Sequence, residues 1–499
     1  MQSLTSARDG AGDPAARADL PMRVGWTLVA VLTLLVFATW MPSLTAGLGD
    51  NHEGRILARH ALNVQNAQVD GLAASGWLSD WSPYVGGDGT QHRYAHHPPL
   101  MNLGYYVAGQ VLPVGLDVAM RLFAYLTGVA MLPLGAALLR RLGFRWVPVL
   151  TATVAVAVTP LFWVYGRLSG ATTLLLAMAL LLVRLRERRP IAHGELTLAA
   201  VISLAAVVAG YLGLATAALL GLLLLATRGL DRVTLVIGAT MALGAAITLA
   251  YVVGGTGAQA VGEQVQLRTQ GGGFTTMEFL QRMADWAVAL LPSWWLFLLA
   301  PLALLAGALD RRSRALTLVL AAVAAAYIFG LPNGAFIHDY WIFPVLLPVW
   351  IGTAALLERP IGIPARRQGS VVGAIGALIL VLGVVGLVRA DVPTTYLAGP
   401  EAAGDLARAT DPPTTQQAAW RTAGLPAPRW LSFYWDLPPE QLDRDRIDAV
   451  RDDDLVFVAL ERVPDWLDPG EVRASATAQD GDYAVITGAR LRELAGPVA

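Results

Sequence analysis

The chain contains no cysteine and no lysine, and only 15% of its 499 residues are charged. Without cysteine there can be neither disulfides nor thiolate metal sites. Without lysine, any role that a lysine usually plays passes to the arginines, which make up all 36 basic residues, or to the 7 histidines. The formal net charge is -1, and no basic stripe lies on a soluble segment, so nucleic acid is not an expected partner. No Walker-type or dinucleotide-binding glycine motif sits at a strand-to-helix turn, which excludes a nucleotide site of those kinds. Soluble repeats and low-complexity tracts are also missing.

What remains is apolar. Hydrophobic residues make up 55% of the chain and the mean hydropathy is +0.52, which excludes an ordinary soluble globular protein and defines a membrane protein. The charge is unevenly divided. From Asp391 onward there are 19 acids against 10 arginines, whereas the preceding part carries 26 arginines against 18 acids. An apolar, mildly basic body is followed by a small acidic module.

Residues 1–23 mix Arg, Asp, Ala and Gly without apolar periodicity and read as a disordered cytoplasmic tail. The run 25–44 is long enough to span and lacks a small-residue cleavage site, so a retained helix is expected. Charge-free runs recur at 120–139, 147–163, 170–183, 196–227, 233–253, 288–309, 315–331, 341–357 and 371–388. The run 196–227 is too long for one helix across a hydrocarbon core of about 30 Å. Splitting it near Gly210 and Tyr211 gives eleven spans. Arginine placement supports the split, because with the N-terminus inside the clusters Arg140/Arg141/Arg145, Arg184/Arg186/Arg188/Arg189, Arg228/Arg232, Arg311/Arg312/Arg314 and Arg359/Arg366/Arg367 all become cytoplasmic. Three segments are then extracytoplasmic: 47–99, 254–287 and everything after Arg389. The expected architecture is an all-α polytopic membrane domain over 24–390, with about eleven transmembrane helices, and a small extracytoplasmic α/β domain over 391–499. In that domain 431–435, 455–460 and 483–487 read as strands, and 400–409 and 489–494 as helices.

Polar chemistry concentrates in the first outer loop. It holds His52, His60, His92, His96 and His97 beside Asp50, Glu53, Arg55, Arg59 and Arg93. A loop at the membrane surface with acids and cationic donors is suited to bind an anionic headgroup and move a proton beside it. Asp50 followed by Glu53 has capping-box spacing ahead of a plausible amphipathic helix. The functional reading makes Asp50 a general base, and the two roles are compatible. His96 and His97 precede Pro98 and Pro99, which fix an extended entry into the next segment. The histidines are suited to donate to a phosphate, to ligate a metal or to sit solvated, and no spacing here is a recognised metal site. Tyr165-Gly166-Arg167 and His338-Asp339-Tyr340-Trp341 lie near the outer ends of later spans, as interfacial anchors or cavity-lining groups. Asp117 and Arg121 have the spacing of a helical ion pair. The segment 274–286 is apolar at helical spacing after three glycines, giving either a gate or a connector. Asp452-Asp453-Asp454 reads as a solvated acidic turn rather than a cation site.

Taken together, the outer-loop acid after the first span, His97-Pro98-Pro99-Leu100, Leu116-Asp117-Val118-Ala119-Met120-Arg121-Leu122, the Arg167 turn and His338-Asp339-Tyr340 resemble the polytopic GT-C glycosyltransferases of the protein-mannosyltransferase and lipid A aminoarabinose-transferase type. The resemblance covers roughly 25–388. It implies transfer of a sugar from a polyprenyl-phosphate carrier to a lipid, glycan or protein acceptor on the outer face, usually with inversion, in the inner membrane of a bacterium. It places the base on Asp50, and a carrier-phosphate contact on His97 with Arg55 and His96 nearby. Arg167, His338 and Tyr340 would line the same cavity. Many relatives have adjacent Asp and Glu, whereas here Asn51 and His52 separate Asp50 from Glu53, leaving the base between the two acids. No cofactor is fixed, and a divalent cation stays open. The competing functions are a transporter or flippase of lipid-linked sugars and a membrane scaffold.

Overall fold

The computed structural model describes residues 19–82, 98–187, 190–270, 272–291, 294–358, 365–389, 399–414, 417–422, 425, 429–437 and 439–496. His92, Arg93, His96 and His97 lie outside them.

The chain is an integral membrane protein of mostly helical structure. Among the described residues six helices are long and apolar enough to cross a membrane, including Met22–Thr45, Leu116–Arg141 and Gly369–Val388. A seventh candidate is the pair Trp146–Ala157 and Pro160–Leu168, bent by 70°. The other four expected positions hold shorter apolar helices, Gly170–Leu185, His193–Ala209, Leu299–Leu309 and Arg314–Phe329. The long run does break at Gly210, whose extended backbone (φ -177°, ψ 154°) separates His193–Ala209 from Tyr211–Arg228. The return is tight enough that a Cβ on Gly213 would stand 1.9 Å from the Ala206 carbonyl oxygen, so a larger residue there would push the two helices apart.

The bend at 157–160 has a local cause. Pro160 cannot donate to the preceding turn, and Thr159 starts a new helix by accepting a hydrogen bond from the Phe162 N–H at 3.3 Å. The half-helix Pro160–Tyr165 then passes into a 3-10 turn, Gly166–Leu168, that carries Arg167.

The C-terminal module contains a five-stranded sheet of order β2-β1-β3-β5-β4. Its strands are β1 (Ala419–Thr422), β2 (Glu440–Leu442), β3 (Leu455–Ala459), β4 (Ala478–Asp480) and β5 (Tyr483–Thr487). β1 pairs parallel with β2 and β3, and β5 pairs antiparallel with β3 and β4. Strand alternation gives the sheet two apolar faces. Val456, Val458 and Ile486 pack with Trp420 and Leu491 in the module's own core. Phe457 and Val485 join Trp430 and Trp435 in a core that continues into the membrane helices. The helices Gly399–Ala409 and Gly488–Ala495 and strands β3 and β5 fall where the sequence indicates. The segment 431–435 does not. It belongs to the helix Arg429–Trp435, with Trp430, Leu431, Ser432 and Trp435 buried. Its aromatic residues favour strand on average, but burial at one helical face, with the Trp435 indole donating to the Ala407 carbonyl at 3.2 Å, overrides that preference.

The acidic turn is also different from its expected form. Asp454 is fully buried and accepts from the Ala418 N–H, the Trp420 indole N–H and the Arg451 N–H at 2.8 to 2.9 Å. It is an internal brace of the sheet, while Asp452 and Asp453 pair with Arg492 and Arg451 at the surface.

Candidate functional site

The first span ends in a 3-10 turn, Met41–Thr45, and the chain then turns through 46–50 into the helix His52–Asp70. Asn51 caps that helix, its side chain accepting from the Gly54 N–H at 2.5 Å. The capping box drawn from Asp50 and Glu53 is therefore absent. One residue later in the chain supplies the cap, which frees both acids for other contacts.

Glu53 turns into the protein and is 2% exposed. Its Oε1 accepts from Arg121 Nε at 2.8 Å and from the Tyr125 hydroxyl at 2.9 Å, and its Oε2 accepts from Arg167 Nη1 at 3.2 Å. Both arginines are fully buried. The Arg167 guanidinium also lies 5.0 Å from the Trp163 ring and 5.3 Å from the Tyr125 ring. Burial raises the Glu53 carboxyl, but Arg121 and Arg167 outweigh it and, with the Tyr125 hydrogen bond, hold the group below its ordinary value. It is a fixed anion between two fixed cations. Arg121 also donates to the carbonyls of Ala46 and Gly47, the latter at 3.0 Å, so the triad holds the turn that carries Asp50. The helical pair expected between Asp117 and Arg121 does not form. Arg121 goes to Glu53, and Asp117 accepts from the Tyr434 hydroxyl at 2.9 Å, because the stronger partners lie on other elements.

Asp50 is 8% exposed. Arg55 Nε donates to its Oδ1 at 2.9 Å, and Arg462 of the C-terminal module approaches its Oδ2 at 3.9 Å. Both arginine side chains are about half exposed, at 50% and 54%. Two residues further on, an aromatic cluster assembles around His52. The His52 ring lies 4.5 Å from Tyr340 and 4.9 Å from Tyr165, and His338 lies 5.1 Å from Tyr340. Burial first, then His338, Arg55 and Arg59, keep His52 well below the ordinary histidine range. Burial, Arg268 and Arg59 do the same to His338. Both imidazoles are neutral near pH 7, so positive charge here comes from the arginines. Arg59 and Arg429 each lie over the Trp81 ring, at 4.8 and 4.4 Å, and Arg268 lies over Trp341 at 5.7 Å.

Of the residues singled out in the sequence, the structure thus brings together Asp50 with Arg55, and His338 with Tyr340, while Glu53 and Arg167 meet in the interior. Arg268, Arg429 and Arg462 carry no sequence signal, since each is an isolated arginine on a helix or turn far along the chain. Among the described residues no group of three or more His, Asp or Glu is gathered as a metal ion would need.

Glu401, on Gly399–Ala409, is 6% exposed. Burial pushes its carboxyl up to about 7, Glu53 adds to the rise, and Arg121, Ser43 and Arg167 oppose it. A carboxyl raised on folding stabilises the fold below its unfolded value of about 4.5, and this contribution is lost as pH rises through about 7. Glu401→Gln, which mimics the neutral form, should therefore flatten the fall in melting temperature across that window. Thermal melts of both proteins over a pH series check this.

No protein-family model and no curated protein matches the chain. Solved structures do. Over 96% of this chain and 100% of the other, it is similar to ArnT from Cupriavidus metallidurans in the apo state, with a TM-score of 0.53 and 15% identity. The oligosaccharyltransferase of Archaeoglobus fulgidus in the apo form is similar over 83% of this chain, with a TM-score of 0.52 and 12% identity, and the match spans 64% of that protein's length. The chain has the GT-C fold, as its motifs imply.

Proposed function

We propose that this protein is a membrane glycosyltransferase that moves a sugar from a polyprenyl-phosphate carrier to an acceptor hydroxyl at the outer face of a bacterial inner membrane, with inversion. The tail 1–23 is cytoplasmic, 24–390 forms the membrane domain, and 391–499 is extracytoplasmic. The observation that carries this reading is Asp50, a nearly buried carboxylate a few residues beyond the first span, flanked by the half-exposed Arg55 and Arg462 and followed two residues later by His52 with its aromatic cluster. The fold shared with ArnT and the oligosaccharyltransferase supports it.

In this mechanism the acceptor O–H gives its proton to an Asp50 oxygen as its oxygen bonds to the anomeric carbon. The bond from that carbon to the carrier phosphate oxygen breaks, and the electron pair leaves with the phosphate. Arg55, Arg59 and Arg268 supply the fixed positive charge that meets it, with His52, His338 and Tyr340 shaping the wall. Arg167 acts through Glu53. This division makes Asp50, rather than Glu53, the base, because Glu53 already has three donors.

The test is transfer by the purified chain in proteoliposomes with a panel of polyprenyl-phosphate hexoses and pentoses, with and without EDTA. Release of polyprenyl phosphate with a glycosylated acceptor is the expected result, and the EDTA arm reads whether a divalent cation takes part. Movement of an intact lipid-linked sugar between leaflets, without cleavage, would instead identify a flippase.

A further inference from the structure

The turn that carries Asp50 is held from both sides, and the outer side belongs to the C-terminal module. Its amides point to that module: the Gly47 N–H donates to Asp405 Oδ1 at 2.8 Å, the Leu48 N–H to the Tyr434 hydroxyl at 2.8 Å, and the Asp50 N–H to the Pro400 carbonyl at 3.0 Å. Its carbonyls at Ala46 and Gly47 are held by Arg121 of the membrane domain. The two backbones approach so closely that only glycine fits. A Cβ on Gly47 would stand 2.1 Å from the Gly404 carbonyl carbon, one on Gly49 2.1 Å from the Pro400 oxygen, and one on Gly404 2.5 Å from Leu48.

The acceptors in the module are themselves braced. The Tyr434 hydroxyl, while accepting from Leu48, donates to Asp117 at the start of the Leu116–Val129 helix. Arg408 bridges Asp405 and Asp117 at 2.6 and 3.5 Å. Asp405, Arg408, Asp117 and Tyr434 thus form a polar ring that closes on the Asp50 turn and ties it to a membrane helix.

We infer that the C-terminal module is a positioning element for Asp50, with Tyr434 and Asp405 as its positioning residues, so that the soluble module sets the geometry of proton transfer in the membrane domain. The inference rests on Asp50 being the base. With only Arg121 on the turn and the half-exposed Arg55 on the carboxylate, the Asp50 side chain would be free to shift, and general-base catalysis is steeply sensitive to placement, a displacement near 1 Å being worth about 100-fold. Three backbone amides fixed by one module remove that freedom.

The test uses the full chain in proteoliposomes and the member of the polyprenyl-phosphate hexose and pentose panel that turns over. Tyr434→Phe deletes one hydroxyl and keeps the ring against Phe433. Hydrogen exchange over 47–50 should speed up while β3 and the Met22–Trp40 helix keep their protection. Turnover per bound donor should fall roughly tenfold with the donor KM unchanged. Counting turnover per bound donor removes any loss due to inactive protein. Asp405→Ala should behave like Tyr434→Phe, whereas Asp405→Asn, which keeps an oxygen for the Gly47 N–H, should recover most of the rate. Faster exchange with unaltered turnover overturns the inference, and so does unaltered exchange. Asp50→Ala is run alongside. Full transfer by that variant removes the base assignment and this inference with it, whereas an inactive Asp50→Ala beside a normal Tyr434→Phe removes the inference alone.

Discussion

Asp50→Asn should slow sugar transfer by roughly 10²- to 10⁴-fold, the range that a positioned general base contributes. The substitution is nearly isosteric. The amide oxygen can still accept from Arg55 at the position now occupied by Oδ1, and the Asp50 N–H bond to Pro400 involves only backbone. Donor KM and melting temperature should therefore stay close to the wild-type values while kcat collapses. Asparagine cannot take the acceptor proton, and that is the difference the experiment isolates. Steady-state kinetics with the turned-over donor at several acceptor concentrations provide the measurement. Undiminished kcat would sink the assignment of Asp50 as base.

Glu53→Ala should fail in the opposite way, by loss of the folded protein. Removing the carboxylate leaves Arg121 and Arg167, both fully buried, without the anion between them. Uncovering a buried charge in this manner costs about 3–5 kcal/mol, a large part of the stability of a typical domain. The Tyr125 hydroxyl also loses its acceptor. The expected result is a sharp fall in melting temperature in detergent and poor recovery of monodisperse protein. Glu53→Gln, which keeps one carbonyl oxygen for Arg121 or Tyr125, should fall between alanine and wild type. If Glu53→Ala melted with wild type and lost only turnover, Glu53 would be part of the chemistry and the roles of the two acids would have to be exchanged. The pair of substitutions separates two carboxylates three residues apart, one proposed for proton transfer and one buried between two arginines.

Those two roles were not distinguishable in the linear pattern. Asp50 and Glu53 share a segment, a charge and a short spacing, and an acid at a helix start satisfies the capping pattern equally well. The outcome depends on Arg121 and Arg167, which come from a membrane helix and from the turn behind the Pro160 break. Neither pairing has a fixed sequence separation. The same reason hides Arg462: it meets Asp50 only because β3 and the 3-10 turn Leu460–Arg462 bring it over the membrane domain. Likewise Arg429–Trp435 is a helix because its tryptophans find a core made by other segments, which no local propensity records.

The apolar runs and the break at Gly210 were legible because they answer to a local rule: spans must be apolar over a bilayer's thickness. The concentration of acids and histidines after the first span marked a candidate site region, since polar residues beside a membrane have few structural uses. Composition and periodicity thus determined the membrane class and the helical positions, and pointed to a candidate site. Only the tertiary structure decided which acid is buried between two arginines, which one pairs with Arg55, and that the C-terminal module grips the turn ahead of them, because ion pairing and backbone contact depend on distances in space that residue spacing along the chain does not encode.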